Sequence, residues 1–179
     1  PADDGRIKPD ISAKGVNMLS SVGSSNTSYS NFSGTSMATP NTSGSLILLQ
    51  QHYNELNGNF MLASTLRGLA LHTADEAGTT PGPDYRFGWG LLNTERAAAT
   101  ITNNGSTSLI MEETLSQGST FLINVQSDNI NDLMASITWT DPAVTVPPTG
   151  NEDAFIPALV NDLDLRVSED GGATFMPWK

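Results

Sequence analysis

The string Gly34-Thr35-Ser36-Met37-Ala38-Thr39-Pro40, followed after Gly44 by the apolar run Ser45 to Tyr53, constrains this chain more than any other stretch. Small residues, hydroxyls and a proline gathered ahead of an apolar run read as the entry to a buried helix, with Ser36 in its first turn. The first N–H groups of a helix have no partner inside it, and they form the positive end of the helix dipole. A serine placed there stands on a rigid element beside donors able to stabilise an oxyanion. Gly34 permits close backbone approach, and the small Ala38 is read as leaving room around the hydroxyl. Pro40 is read as lying near the helix start, where its missing N–H costs little. Gly-Thr-Ser by itself is no more than an ordinary helix cap. The seven-residue string is rarer.

Two other segments flank it in order. Upstream lies Gly5-Arg6-Ile7-Lys8-Pro9-Asp10-Ile11-Ser12-Ala13-Lys14-Gly15-Val16-Asn17-Met18-Leu19-Ser20-Ser21, and downstream Tyr85-Arg86-Phe87-Gly88-Trp89-Gly90-Leu91-Leu92-Asn93. With the Ser36 string, these segments resemble the subtilisin-like serine peptidases, peptidase family S8, over roughly the first hundred residues. Lys14 departs from the resemblance, since the family usually has proline there. The resemblance implies an endopeptidase in which Ser36 is the nucleophile and forms an acyl-enzyme, its own backbone N–H donates to the oxyanion, and Gly34 and Thr35 border the substrate. It also implies that Ser28-Tyr29-Ser30-Asn31-Phe32 lies at the rim of the substrate cleft.

The family's aspartate, histidine and oxyanion asparagine precede the serine, in that order. Both histidines of this chain, His52 and His72, follow Ser36. His52 falls 16 residues along the same helix, about 24 Å away at ~1.5 Å per residue, too far to be its base. His72 is expected at the end of a second helix, where the dipole favours it without any catalytic role. The chain therefore reads as the C-terminal part of a peptidase domain, inactive alone and leaving apolar surface of the Ser36 helix exposed. Its partners are then protein or peptide substrates and the N-terminal part of the domain. An α/β-hydrolase elbow is excluded, because Ala38 stands where Gly-x-Ser-x-Gly needs its second glycine. The alternative is a catalytically inactive homologue or fragment acting as a binding or scaffolding module.

Composition narrows the partners. Nineteen acidic against eight basic residues give a net charge of -11, which argues against nucleic-acid and anionic-membrane partners. With no cysteine, disulfides, thiolate metal sites and cysteine catalysis are excluded. No apolar run approaches the ~20 residues that span a bilayer. These features and the resemblance lead to the expectation of a secreted, extracellular, bacterial protein. Four Asn-x-Ser/Thr sequons, at Asn26, Asn31, Asn41 and Asn104, are discounted as glycan acceptors, since in a bacterial protein they carry no such meaning.

The expected fold class is α/β, a partial doubly wound subtilisin-like domain over residues 1–102, followed by an all-β sandwich or jelly roll over 103–179 that is truncated at its C-terminus. In the first part Phe60, Ala63, Leu66, Leu69 and Ala70 share a helical face, and Asn93 caps a helix over 94–99. Asn103-Asn104-Gly105-Ser106 reads as a linker. Beyond it Phe121, Ile123 and Val125 alternate with polar residues, as do Ala135, Ile137 and Trp139, and Leu163, Leu165 and Val167. Asp170-Gly171-Gly172 turns the chain into a further strand over 173–178. The loop from Thr140 to Asp153 is rich in proline and glycine. Asp162 and Asp164, with Asn161 and Asp141, read either as ligands of a structural calcium ion or as turn residues bonding their own backbone.

Overall fold

The computed structural model describes residues 6–143 and 159–177. Residues 144–153 of the loop expected over 140–153, and Trp178 of the last strand, lie outside the described residues. Among the described residues three helices carry the core. Helix α1 (Thr35–Asn57) ends at Gly58, whose φ of 75° is the left-handed cap conformation and whose N–H returns to the Asn54 carbonyl at 2.8 Å. Helices α2 (Ala63–His72) and α3 (Thr94–Thr102) pack against its C-terminal half.

The packing follows from spacing. Leu46, Leu49 and Tyr53 of α1 recur three and four residues apart, so they form one stripe. Leu49 and Tyr53 are buried with Met61, Leu69, Ala97 and Ile101, and Leu46, Leu66, Ala98 and Ile110 flank them. Ile47 and Leu48 fall on other faces and stand 68% and 61% exposed, so α1 is not buried all round as its apolar sequence suggests. The Gln50 amide exchanges two 2.9 Å hydrogen bonds with the Met61 backbone and so fixes the turn between α1 and α2. That turn takes Phe60 out of the expected helical face. Phe60 precedes α2 and is exposed, as is Ala63, while Leu69 and Ala70 are buried.

Asn93 caps α3 as expected, its Oδ1 accepting from the Arg96 N–H at 2.8 Å. Its Nδ2 also donates to both oxygens of Asp75 at 3.0 Å, and Asp75 pairs with the Arg96 guanidinium at 2.9 Å. The cap thus ties α3 to the end of α2. Asn93→Ala should cost about 1 to 2 kcal/mol, read from the urea midpoint, the upper end reflecting the lost Asp75 bonds.

Among the described residues two hairpins and a junction accompany the helices. Strands β1 (Met18–Ser21) and β2 (Tyr29–Phe32) pair antiparallel, from Met18 opposite Phe32 to Ser21 opposite Tyr29. Leu91 lies between Ser12, which it meets in parallel, and Asp75, which it meets antiparallel. Among the described residues, parallel pairing is confined to single bridges, Ser12 with Leu91 and Asn104 with Ser108. A doubly wound sheet is therefore not seen there.

The second half departs further from expectation. Residues 121–125 and 135–139 form no ladder, and the only strands beyond residue 103 among the described residues are β3 (Arg166–Val167) and β4 (Met176–Pro177), paired antiparallel across the 170–172 turn. Alternation makes a strand only where a neighbour offers its backbone. Residues 121–125 have no such neighbour among the described residues, and all are exposed. Residues 136–139 instead lie along α2. The Thr138 hydroxyl donates to the Ser64 carbonyl at 2.9 Å, Arg67 donates to the Trp139 carbonyl at 2.8 Å, and Thr138 occupies the space that a side chain at Gly68 would need.

Candidate active site

Strand β2 delivers the chain to Gly34, which begins α1 without a side-chain cap. The Gly34 carbonyl accepts from Met37 and Ala38, at 3.0 and 3.2 Å. The amides of Thr35 and Ser36 have no partner among the described residues, and both residues are exposed. Ser36 is the second helical residue, and its hydroxyl likewise has no hydrogen-bond partner among the described residues. An accessible hydroxyl thus stands beside free N–H donors at the positive end of a 23-residue helix.

Pro40 lies deeper than the sequence reading placed it, as the sixth residue of α1. At that depth its missing N–H deprives the Ser36 carbonyl of its usual donor. The small size of Ala38 has a different reason as well. A Cβ built on Gly15 would stand 2.6 Å from the Gly34 carbonyl oxygen and 2.9 Å from the Ala38 Cβ. Ala38 is small because residues 15–17 cross the helix start there, and Gly15 is glycine because Gly34 and Ala38 leave no room. The Gly15 carbonyl accepts from the Gly34 N–H at 2.8 Å, and the Asn17 N–H donates to the Ser33 hydroxyl at 2.8 Å. Sequence reasoning assigned no role to Gly15 or Ser33, because nothing local marks two small residues as neighbours across a hairpin.

Neither histidine approaches the role of base. His52 Nε2 lies 2.9 Å from the Thr102 hydroxyl and links α1 to α3. His72 ends α2, half-buried, with Nδ1 3.0 Å from the Ser136 hydroxyl. The helix dipole would raise its pKa, but burial wins and holds it below the ordinary 6.5. The unfolded chain then binds the extra proton first as the pH falls. The contribution of His72 to stability is complete above about pH 6.5 and declines below it until the lower folded value is passed. Urea midpoints should accordingly fall between pH 7 and 5, and His72→Gln should flatten that slope.

The acidic residues proposed as calcium ligands make local hydrogen bonds and ion pairs. Asp164 pairs with Arg166 at 2.9 Å. Both oxygens of Asp141 accept from the backbone amides of Val160 and Asn161, at 2.6 and 2.9 Å, and the Val160 amide chiefly holds its pKa low. Among the described residues no three His, Asp or Glu side chains come together as cation ligands. The turn-residue alternative describes Asp141 better.

The upstream and downstream segments pair with each other. Ser12 donates to Gly90 at 2.9 Å and accepts from Leu92 at 2.8 Å, while Trp89 donates to Asp10 at 2.9 Å. Segments far apart in sequence thus converge on one backbone frame. The sequence model of the subtilase family, peptidase S8, matches residues 1–90 of the 179. The chain belongs to the subtilase family.

Relatives of this subtilase include a C5a peptidase of Streptococcus pyogenes, 52% identical over 50 residues, which is 28% of this chain and 4% of the relative. A PII-type proteinase of Lacticaseibacillus paracasei is 26% identical over 95% of this chain and 10% of its own length. A PII-type proteinase of Lactococcus lactis subsp. cremoris is 43% identical over 72 residues, 40% of this chain and 4% of the relative. The chain spans a tenth or less of the length of these curated relatives. Among the described residues no helix is long and apolar enough to cross a membrane.

Proposed function

We propose that this subtilase sequence supplies the nucleophile of a serine endopeptidase, with Ser36 as the attacking residue. The observation that carries the reading is the exposed Ser36 hydroxyl, without a hydrogen-bond partner among the described residues, beside the amides of Thr35 and Ser36, which have none there either. Ser36 Oγ attacks the scissile carbonyl as a histidine removes its proton. The carbonyl oxygen becomes an oxyanion, which the Ser36 N–H receives together with an asparagine side chain. The histidine returns the proton to the leaving amine, and water then releases the acyl group by the same route. Gly34 and Thr35 line the approach of the peptide, with residues 28–32 at the cleft rim.

The aspartate, histidine and asparagine come from other parts of a longer protein, a reading supported by relatives at least ten times longer than the matched stretch. In the same reading residues 1–102 belong to the peptidase domain and 103–179 to a following β-sandwich. The bacterial relatives support an extracellular bacterial enzyme acting on protein substrates. With His52 bonded to Thr102 and His72 to Ser136, the 179 residues alone lack a base for Ser36 and are expected to be inactive. That observation also favours a second reading, a binding module without catalysis. Hydrolysis of an unfolded protein substrate by the full-length protein, stopped by a serine-directed sulfonyl fluoride, tests the choice. Hydrolysis that survives the inhibitor, or none from a folded full-length protein, contradicts the peptidase reading.

A further inference from the structure

Two backbone-directed contacts hold the residues just before the helix start. The Asn17 N–H donates to the Ser33 hydroxyl and the Gly34 N–H donates to the Gly15 carbonyl, both at 2.8 Å. The first is the sole side-chain rung of the pair and spans 16 residues. Asn17 accepts a φ of 54°, a left-handed conformation uncommon for a residue with a side chain, and its amide meets Ser33 from that conformation. Beside it, Gly15 fits against the Gly34 carbonyl and Ala38 with no room for a methyl group.

The consequence lies three residues on. Ser33 and Gly34 lead directly into Thr35 and Ser36, with no flexible residue between the clamp and the hydroxyl. Gly34 has no side chain to cap the helix, so the position of its carbonyl, and of the free Ser36 amide, depends on what holds residues 33 and 34 from outside. We propose that Ser33 is a positioning residue: its hydroxyl, held by the Asn17 amide, sets where Ser36 Oγ and the Ser36 N–H stand relative to an incoming carbonyl. This rests on the reading of Ser36 as the nucleophile. Ser33 touches no reacting atom and acts through the backbone it fixes. A displacement of about 1 Å at a nucleophile is enough to cost on the order of a hundredfold in rate, so loss of one rung is expected to show clearly.

The test measures inactivation of the full-length protein by a fluorophosphonate, separating the maximal rate at saturating probe from the half-saturating concentration. Ser33→Thr and Ser33→Val have nearly the same shape and differ in the hydroxyl. The threonine variant should label like the wild type, and the valine variant about tenfold more slowly at saturation with an unchanged half-saturating concentration. Ser33→Ala should follow valine. A purely structural hydroxyl would lower the melting temperature of the valine variant and leave its maximal labelling rate intact, and that outcome overturns the proposal. Equal rates for threonine and valine overturn it as well. If the wild type labels normally, such a result leaves Ser36 as nucleophile standing. A folded wild type that does not label at all removes both.

Discussion

With Ser36 as the proposed nucleophile, Ser36→Ala in the full-length protein should lower kcat on the order of a thousandfold or more, with KM and melting temperature nearly unchanged. The size follows from what is removed. Without the hydroxyl no acyl-enzyme forms, and what remains is orientation and oxyanion stabilisation acting on water. The small structural effect follows from the environment of Ser36, whose side chain is exposed and makes no hydrogen bond among the described residues. Serine to alanine at the second helical position changes little in the helix itself. Initial rates on a fluorogenic peptide, taken beside a thermal melt, read both quantities. A large fall in melting temperature would mean that Ser36 has a structural role absent from this account. A small fall in kcat would mean that another group attacks the carbonyl.

A large effect on stability is expected from Gly90→Ala. Gly90 has a φ of 117°, which a side chain resists, and an added methyl group would be driven into the Asp75 carbonyl oxygen. The cost is not only local. The neighbouring Leu91 exchanges two 2.8 Å hydrogen bonds with Asp75, and Gly90 itself accepts from Ser12 at 2.9 Å. Moving this backbone opens both sides of the junction that joins the segment before Ser36 to the ends of α2 and α3. A loss of at least about 3 kcal/mol is expected, combining backbone strain with broken pairing. Gly58→Ala is the control. Gly58 also has a left-handed φ, 75°, but open space around its missing side chain, so only the conformational penalty of about 1 kcal/mol applies. Urea unfolding of the two variants separates collision from conformation, and equal losses would contradict the packing at Gly90.

What sequence reading could recover was local. The helix that follows Gly34 and the Asn93 cap are written within a few residues, by an apolar stripe and by an oxygen placed three residues before a free amide. Partners are not written that way. Alternation over 135–139 announces an extended chain, but whether it joins a sheet or lies along α2 depends on Gly68, which is small enough to admit Thr138. The helix dipole gives a reason for His72 in the sequence, whereas burial governs its charge in the fold and its hydroxyl neighbour, Ser136, lies 64 residues away in sequence. Ala38 reads as room around the hydroxyl, whereas its small size also answers to Gly15 packed against it. The candidate site divides similarly. The hydroxyl and its helix were legible, and the clamp behind them was not, because Gly15 and Ser33 become neighbours only once the segment at 15–17 crosses the helix start.

The most direct measurement is reaction of the full-length protein with a fluorophosphonate, followed by peptide mass spectrometry to locate the adduct. The account predicts one adduct, on Ser36, which disappears when the protein is unfolded by heat before labelling. An adduct on any other residue, or none on Ser36 in a demonstrably folded protein, would contradict the assignment of Ser36 as nucleophile.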